Sequence, residues 1–311
     1  MNHTVAIPTY RRPDVLRKSL EGLVRQERPI DEVIVVVRKD DHASREVAEE
    51  YLTKLPLQVG QVEVPGVVVP VNCALDMATG DIVSLIDDDA VAHPDWARKI
   101  IEVFEDDPGL AGLGGRDHIF ENGRWKDGNR ELTVGIVRWY GATIGNHHLG
   151  IGPRRDVDCL KGVNMSFRRS DLGALRADTR LRGSGAQWCW ELGMCLNLRA
   201  QGKRLAYDPS IVVDHLVAAR YDEDQRGSFN ELAFENQNHN MTMVLLGYLN
   251  WPGRILLMHY ALLIGIKGGY CGLLKGLLLW PMRGNIALRR MRAGMRGVLA
   301  GWKSWRAGRT G

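Results

Sequence analysis

The chain has 311 residues, of which 45% are hydrophobic and 25% are charged, so it is long and apolar enough to bury the core of one large domain, with or without an appendage. Its five cysteines are widely spaced and form no CxxC pair, which argues against a disulfide-stapled secreted domain and indicates a reduced compartment. The N-terminus has no long apolar signal core, so we expect the main domain to be cytoplasmic.

Charge divides the chain into two parts. All 37 acidic residues lie at or before Glu235, whereas 11 of the 41 basic residues follow it. Residues 1–235 therefore carry a net charge of −7 (30 basic against 37 acidic), and residues 236–311 carry +11. A basic segment without carboxylates favours phosphate-bearing partners, so we predict two domains with a boundary after residue 235.

Short β-branched runs alternate with amphipathic stretches from residue 4 to about residue 115, which is typical of an α/β fold with a parallel sheet covered by helices. The predicted elements are a strand at 5–7, a helix from Pro13, a strand at 33–37, a helix at 44–54, and strands at 61–64 and 82–86 separated by a helix at 72–78. Residues 116–160 show no regular period, and we interpret them as a substrate-facing insertion. A helix at 188–199 and strands at 204–207 and 211–215 follow.

Four glycines precede this insertion, at Gly109, Gly112, Gly114 and Gly115. They lack the GxGxxG spacing of a dinucleotide-binding turn after the first strand. We expect them instead to let a ligand or a neighbouring strand approach the backbone closely.

Three aspartates, Asp87, Asp88 and Asp89, directly follow the strand at 82–86. Ligands of open α/β sheets bind outside the carboxyl ends of the strands. Alternate carboxylates in a turn at that position can hold Mg²⁺ or Mn²⁺ against a diphosphate. An acidic turn that caps the next helix is the alternative interpretation.

Five blocks of sequence, in order, resemble glycosyltransferase family 2. They are VAIPTYRRP at 5–13, VIVVVRKDD at 33–41, ATGDIVSLIDDD at 78–89, GVNMSFRR at 162–169 and YDPSIVVDH at 207–215. The resemblance covers residues 4 to about 235 and implies a GT-A fold, a Rossmann-like sandwich. It also implies inverting transfer of a sugar from a nucleotide-diphosphate-sugar to a hydroxyl of a saccharide or lipid-linked acceptor, in the synthesis of cell-surface polysaccharide or glycolipid.

The resemblance also implies residue roles, carried over position by position. The expected nucleotide-binding set is Pro8, Thr9, Tyr10, Arg38, either Asp40 or Asp41, Asn72, Asp87 and Asp88. The choice between Asp40 and Asp41 is open because the family's usual Asp-Asp-Gly-Ser ending is replaced here. Gly162 and Asn164 are expected to border the donor sugar, and Arg220 to clamp the diphosphate, although a solvated loop position would explain Arg220 equally well.

The same resemblance predicts a divalent cation, Mg²⁺ or Mn²⁺, held by Asp89, Asp87 and His215. A lone histidine after an apolar run is otherwise more often a half-buried side chain with a local partner. His215 can therefore be a metal ligand only if the fold places it close to Asp87 and Asp89.

Inverting transfer needs one carboxylate to take the proton of the acceptor hydroxyl. The family supplies it from an acidic block before a Leu-x-Leu-Arg-x-x-Gly segment, which corresponds to residues 196–202 here. Glu191 is the only carboxylate between Asp178 and Asp208, and we predict that it is the base; an ordinary helix-surface glutamate is the alternative. Trp188 and Trp190 flank it and either wall a pocket or pack in the core.

The C-terminal region is apolar and basic, with uncharged runs of up to 12 residues (255–266) before Lys267, Lys275 and Arg283. A spanning helix needs about 20 apolar residues, so we expect peripheral or monotopic association with an anionic membrane on the cytoplasmic side of the inner membrane. A basic amphipathic helix is predicted with one apolar stripe: Leu288, Met291, Met295, Val298, Leu299, Trp302 and Trp305. Docking of a partner or of a second subunit in a homo-oligomer stays open, and no nucleic acid is expected.

Two other classes of protein remain possible. A nucleotidyltransferase would also use a parallel sheet and carboxylate-bound Mg²⁺, but it is expected to have a Gly-rich, Arg-containing loop in place of Pro8-Thr9-Tyr10. A non-catalytic membrane-bound scaffold of the same fold would explain the irregular acidic block near Glu191.

Overall fold

The computed structural model describes residues 1–126, 128–223, 225, 229–265 and 271–308. The chain divides into a first unit of residues 1–136, 144–177 and 194–219, and a second unit of residues 137–143, 178–193 and 220–311. The boundary predicted after residue 235 lies inside a helix, Glu231–Tyr248, and residues 178–193 and 220–235 group with the C-terminal helices.

The elements are, in chain order, β1 (His3–Thr9), α1 (Pro13–Val24), β2 (Glu32–Arg38), α2 (His42–Glu50), β3 (Leu57–Val62), α3 (Val68–Met77), β4 (Ile82–Ile86), β5 (Ala90–Ala92), α4 (Trp96–Asp106), β6 (Leu110–Glu121), β7 (Arg124–Trp125), β8 (Ile136–Val137), β9 (Thr143–Ile144), β10 (Arg155–Asp156), β11 (Asn164–Arg168), α5 (Arg169–Leu172), α6 (Trp190–Ala200), β12 (Arg204–His215), α7 (Glu231–Tyr248), α8 (Trp251–His259), a π-helical turn (Tyr260–Ile264), α9 (Leu273–Arg283) and α10 (Asn285–Ala307).

A mixed sheet forms the centre of the first unit. Its strand order is β10-β12-β6-β11-β4-β1-β2-β3, with β5 added on β12 and β7 on β6. Strands β1 to β4 run parallel, as predicted from residues 4–115. The sheet then becomes mixed, because β11 is antiparallel to both of its neighbours, β4 and β6.

Apolar residues hold the parallel part together. Residues 33–37 of β2 and 82–86 of β4 are buried along their whole length, as expected for strands covered by helices on both faces. Helix α1 begins at Pro13, which suits the first turn of a helix, and buries Leu16, Leu20 and Leu23. Helix α4 buries Trp96 and Phe104. These elements fix the carboxyl ends of β1, β2 and β4 along one edge.

Several boundaries differ from those predicted. Helices α2 and α3 occupy 42–50 and 68–77 rather than 44–54 and 72–78. The third strand occupies 57–62 rather than 61–64, and Val64 is exposed. The strands predicted at 204–207 and 211–215 are one strand, β12, with an irregular register between Asp208 and Val212. Pro209 lies in this interval, and proline lacks the N–H that a regular ladder needs.

The glycines of β6 allow two strands to approach closely, as predicted. A Cβ on Gly115 would lie 2.1 Å from the carbonyl oxygen of Ile211 in β12 and 2.3 Å from the side chain of Asn164 in β11. A Cβ on Gly112 would lie 2.6 Å from the side chain of Leu205. A larger residue at position 115 would push β6 away from β12, and one at position 112 would displace the side chain of Leu205.

Helices α7 and α10 pack together in the second unit through small residues. A Cβ on Gly297 or Gly301 would lie 2.3 or 2.4 Å from the carbonyl oxygens of Glu235 or His239. Arg296 forms ion pairs with Glu231 and Glu235 across the same pair of helices. The predicted amphipathic helix is therefore present as α10, but only Leu299 of its seven-residue apolar stripe is exposed, because α10 packs against α7.

In the parts of the chain that the structure describes, no helix has the length and apolar content needed to cross a bilayer. Ile266 and Lys267 of the predicted tail lie outside the described residues.

The buried His3 makes stability depend on pH. Its Nε2 lies 2.7 Å from Ser84 Oγ, and burial, reinforced by Arg28, lowers the pKa of His3 to about 3. The unfolded chain takes up this proton near pH 6.5, whereas the folded chain does not, so acidification between those values favours unfolding. We expect His3→Gln to be less stable than the wild type near neutrality. Below pH 6.5 its free energy of unfolding should fall less steeply with decreasing pH. The two slopes should differ by up to about 1.4 kcal/mol per pH unit. Urea unfolding across this range measures the difference, and parallel curves would contradict it.

A candidate metal and nucleotide site at the carboxyl edge of the sheet

The three predicted metal ligands meet in the first unit. Asp87 and Asp89 follow β4, and β5 then pairs antiparallel with β12 so that Ala90 lies opposite His215. This pairing brings two segments distant in sequence together. Asp87, Asp89 and His215 each offer a ligand atom, and these atoms lie within 4.8 Å of one another. Two carboxylates with an imidazole form a donor set that suits a divalent cation such as Mn²⁺ or Mg²⁺.

Asp89 is held in place by the residues that end β12. Its backbone oxygen accepts from Leu216 N at 2.7 Å, and its Oδ2 accepts from Ala218 N at 2.9 Å. Its Oδ1 lies 3.3 Å from His215 Nε2. Although burial raises the pKa of Asp89, the hydrogen bond and charge of His215 hold it below the usual range. The carboxylate is therefore ionised and fixed in direction.

His215 lies between two carboxylates. Its Nδ1 is 3.5 Å from Asp117 Oδ2, an ion-pair distance, and its Nε2 faces Asp89. Burial lowers the pKa of His215, but Asp117 and Asp89 together raise it to about 9. Asp117 is fully buried on β6 and also pairs with Lys161. A carboxylate behind a histidine fixes the ring orientation and suits a histidine that ligates metal on its other nitrogen.

Sequence reasoning missed Asp117 and Lys161. Neither lies in a motif, and both act through a tertiary contact. Two features of the sequence could have indicated these residues. Asp117 follows a glycine-rich stretch, and an aspartate that is buried there needs a partner; Lys161 directly precedes Gly162.

Asp88 points away from the metal ligands. It is buried, and its carboxylate accepts from Thr9 Oγ1 at 2.7 Å and from Arg12 Nη1 at 2.7 Å. Burial raises the pKa of Asp88 to about 7, against the lowering effect of Arg12 and Thr9. Arg12, which sequence reasoning also missed, lies 3.6 Å from Asp89 Oδ2 as well. Asp88 and Arg12 therefore tie the acidic turn to the end of β1.

Three of the predicted nucleotide-binding residues form a cluster at the ends of β1 and β2. The guanidinium carbon of Arg38 lies 3.3 Å from the centre of the Tyr10 ring. Asp40 accepts from Arg38 Nε at 2.8 Å and from the Tyr10 hydroxyl at 3.1 Å. The cluster presents an aromatic face, a cation and a carboxylate at the edge where ligands of α/β sheets bind.

Asp40 and Asp41 differ in their surroundings. Asp41 is buried and accepts from Ser44 N at 3.1 Å, so it caps helix α2. It also accepts from the backbone N–H of Arg11, whose φ of 55° is left-handed and uncommon for a non-glycine residue. Asp41 therefore supports the turn after β1, and Asp40 is the exposed carboxylate.

The side-chain amides of Asn72 and Asn164, both predicted site residues, form hydrogen bonds with other residues of the protein. Asn72 donates to Ala177 O at 2.9 Å and accepts from Ala177 N at 2.8 Å. Asn164 accepts from Trp96 Nε1 at 2.9 Å and donates to the carbonyls of Ile211 and Arg116. Both amides therefore hold the framework. Gly162 is buried in the turn before β11.

Glu191 and Arg220 belong to the second unit. Glu191 lies half-buried in the first turn of α6, after Gln187 and Cys189, whose φ angles of 40° and 72° are left-handed. Strain of this kind is often stored at functional sites. Arg220 is half-buried after the end of β12.

The two tryptophans beside Glu191 differ in exposure. Trp190 is buried, whereas Trp188 is 48% exposed and lines a small pocket of the second unit. The pocket is also lined by Arg182, Ala186, Gln187, Glu223, Ala233, Asn236, Gln237 and Asn240. Core packing therefore applies to Trp190, and Trp188 stays a candidate for the wall of a sugar or acceptor pocket.

Loss of Asp89 should abolish cation binding. We expect Mn²⁺ at about a hundred times its dissociation constant to stabilise the wild type by roughly 2.7 kcal/mol, and Asp89→Asn to lose this shift because one of three ligands is gone. Asp76→Asn, at an exposed carboxylate paired with Arg176, is the matched control. Thermal melts of each variant with and without Mn²⁺ measure the shift, and a wild-type shift in Asp89→Asn would remove this residue from the site.

We expect Asp117 to strengthen the binding of Mn²⁺ at the same site without being a ligand of the cation. We expect Asp117→Asn to weaken Mn²⁺ binding by about tenfold to a hundredfold, because His215 loses the carboxylate that orients its ring. Titration calorimetry with Mn²⁺ on the folded protein measures this affinity independently of turnover. An unchanged affinity would show that His215 is oriented without Asp117.

Residues 4–174 match the family model of glycosyl transferase family 2. The glucosyl-dolichyl phosphate glucuronosyltransferase of Haloferax volcanii is 24% identical over 245 residues, which cover 76% of this chain and 74% of that protein. The succinoglycan biosynthesis protein ExoM of Rhizobium meliloti is 29% identical over 114 residues, which cover 35% of this chain and 37% of ExoM.

Solved glycosyltransferase structures share the fold. Staphylococcus aureus TarS 1–349 in complex with UDP-GlcNAc matches with a TM-score of 0.61 at 16% identity, covering 99% of this chain and 92% of that one. The mannosyltransferase PcManGT of Pyrobaculum calidifontis, in complex with GDP-Man and Mn²⁺, matches with a TM-score of 0.55 at 16% identity, covering 98% and 86%. With more than half of its length matched by the family model and this fold around the acidic turn, the chain belongs to glycosyl transferase family 2 and has the mixed α/β sheet of GT-A glycosyltransferases.

Proposed function

We propose that the protein is a metal-dependent, inverting glycosyltransferase that moves a sugar from a nucleotide-diphosphate-sugar to a hydroxyl of a saccharide or lipid-linked acceptor. The observation that carries the proposal is the group of Asp87, Asp89 and His215 at the carboxyl edge of the sheet in a family 2 domain. The related structures named above hold UDP-GlcNAc, or GDP-Man with Mn²⁺, which supports a nucleotide-sugar donor and a divalent cation. The named activities of the relatives support a role in the synthesis of cell-surface polysaccharide or glycolipid.

The first unit would bind the nucleotide. Tyr10 and Arg38 offer a stacked pair of planar groups for the base, and Asp40 offers acceptor oxygens for ribose hydroxyls. Pro8 and Thr9 end β1 directly beside them. Asp87, Asp89 and His215 would hold Mg²⁺ or Mn²⁺, which when bound neutralises charge on the departing diphosphate. Arg220 would add a second positive charge as a clamp.

Glu191 would remove the proton of the acceptor hydroxyl. It lies in the first turn of α6, a position that favours a negative charge. A single base is enough for inversion, because the hydroxyl attacks from the face opposite the leaving diphosphate. Trp188, which precedes Glu191 closely in the chain, offers an exposed apolar face for the C–H groups of a sugar.

The test of the base is Glu191→Gln. Once a donor has been identified by its stabilisation of the protein in the presence of Mn²⁺, we expect this variant to keep donor binding and to lose turnover by about a hundredfold to ten-thousandfold, the usual contribution of a general base. Glu63→Gln, at an exposed carboxylate of the first unit, is the matched control. Release of the nucleoside diphosphate measures turnover, and NMR of the product anomer tests inversion.

A wild-type rate in Glu191→Gln would exclude this residue as the base. Retention of the donor's anomeric configuration would exclude the single-base mechanism. Release of pyrophosphate from a nucleoside triphosphate and a sugar phosphate would instead indicate a nucleotidyltransferase, and donor binding without any turnover would indicate a scaffold.

We also propose that residues 236–311 bind the anionic cytoplasmic surface of the inner membrane, which would place a lipid-linked acceptor within reach. Its support is the charge of this region, 11 basic residues and no acidic one. Basic residues near an anionic surface each contribute about 1 kcal/mol to binding.

A further inference from the structure

The exposed apolar side chains of the protein are concentrated in one segment. Thirteen of the 25 exposed large apolar side chains among the described residues lie between positions 251 and 286. Single exposed apolar side chains are normal on a protein surface, but a concentration of them in one segment indicates an interaction surface. Twelve of them belong to α8, the π-helical turn and α9, and we call these twelve the apolar face. They are Trp251, Ile255, Leu256, Tyr260, Leu263, Ile264, Leu273, Leu274, Leu277, Leu278, Trp280 and Met282.

The parts of the apolar face are joined. Gly272, directly before α9, packs on the π-helical turn so closely that a Cβ would lie 2.7 Å from the carbonyl carbon of Leu263. Gly276 packs on α10, where a Cβ would lie 2.6 Å from Met291 Cβ. Helix α9 therefore has one narrow side on the protein, and its start continues the surface of the π-helical turn.

Helix α9 exposes an unusually wide apolar arc. With about 100° for each residue, its exposed apolar residues cover an arc of about 200° that contains no charge. In order around the helix they are Trp280, Leu273, Leu277, Pro281, Leu274, Leu278 and Met282. Lys275 borders this arc next to Met282, and Arg283 lies outside it, beside the buried Gly276. A helix docked on one protein partner needs an apolar stripe of about half this width.

The length of α9 and its residue types fit a lipid interface. Its 11 residues extend about 16 Å, roughly half the thickness of a hydrocarbon core, so it can lie in the boundary but not cross. Trp251, Tyr260 and Trp280 belong to the face, and such side chains favour the headgroup level. The charges of the region are all positive, which complements anionic headgroups.

Helix α10 is a poorer candidate for this contact. Its small residues Gly297 and Gly301 are packed against α7, and its Arg289 and Arg296 form ion pairs with Glu231 or Glu235. These two guanidinium groups are therefore engaged by carboxylates of the same unit. The exposed apolar area lies before α10 in the chain, not along it.

We propose that the apolar face, and not the basic helix α10, is the element that enters the boundary between headgroups and acyl chains of an anionic bilayer. This inference rests on the proposed membrane association and names its contact surface. The cationic residues next to the face, Lys275 and Arg283, would then lie at the level of the phosphates, while α10 supports α9 from the protein side.

The test compares vesicle binding of full-length variants. Leu278→Ser combined with Met282→Ser removes two side chains that are 76% and 82% exposed, so no internal cavity results. Leu132→Ser in the first unit and Leu232→Ser on α7, at positions 67% and 57% exposed, are matched controls for the loss of a surface apolar group. We expect the double variant to bind phosphatidylglycerol-containing vesicles at least about tenfold more weakly than the wild type, because each buried methylene group contributes to partitioning. The controls should bind like the wild type.

Each outcome has a distinct meaning. A wild type that does not sediment with phosphatidylglycerol vesicles overturns the membrane association and this inference together, while leaving glycosyl transfer untouched. A wild type that binds, with a double variant that binds equally well, overturns only the apolar face. A double variant that converts a lipid-free dimer into a monomer without weakening vesicle binding assigns the face to a second copy of the chain and overturns the proposal.

Discussion

The pairing of β5 with β12 is the constraint on which the candidate site depends. It places Ala90 opposite His215, and this register sets Asp89 and His215 side by side in a buried position. Burying either charge alone would be costly, but together with Asp117 and Lys161 they form a chain of alternating charges. The same arrangement that makes the ion pairs acceptable in the interior also aims two carboxylates and an imidazole at a common point.

Much of the framework follows from local sequence. Uninterrupted apolar runs predict β2 and β4 because strands buried on both faces show no alternation, and helical spacing with Pro13 predicts α1. The same logic correctly places the acidic turn at a strand end. His215 was predictable only through the family resemblance, since a histidine after an apolar strand carries no metal signal of its own.

Other features depend on contacts that no local pattern encodes. Asp117, Lys161 and Arg12 reach the site from β6, from the turn before β11 and from the turn before α1, so their proximity exists only in the folded sheet. Asp40 and Asp41 are chemically equal neighbours, and the capping bond to Ser44 separates their roles. In α10 the apolar stripe suggests an outward face, yet the glycines between its members allow α7 to pack closely and orient the helix.

Asp87 and Asp89 lie far from His215 in the sequence, and this separation affects the order in which the site can form during synthesis. During synthesis, Asp87 and Asp89 leave the ribosome long before His215, so the parallel strands can begin to assemble before the third candidate ligand has been made. The apolar core around β1, β2 and β4 therefore supports this early part of the fold, while Asp87 and Asp89 still lack His215. The pairing of β5 with β12 joins residues 90–92 to residues 213–215, so this non-local contact can form only after β12 has been made.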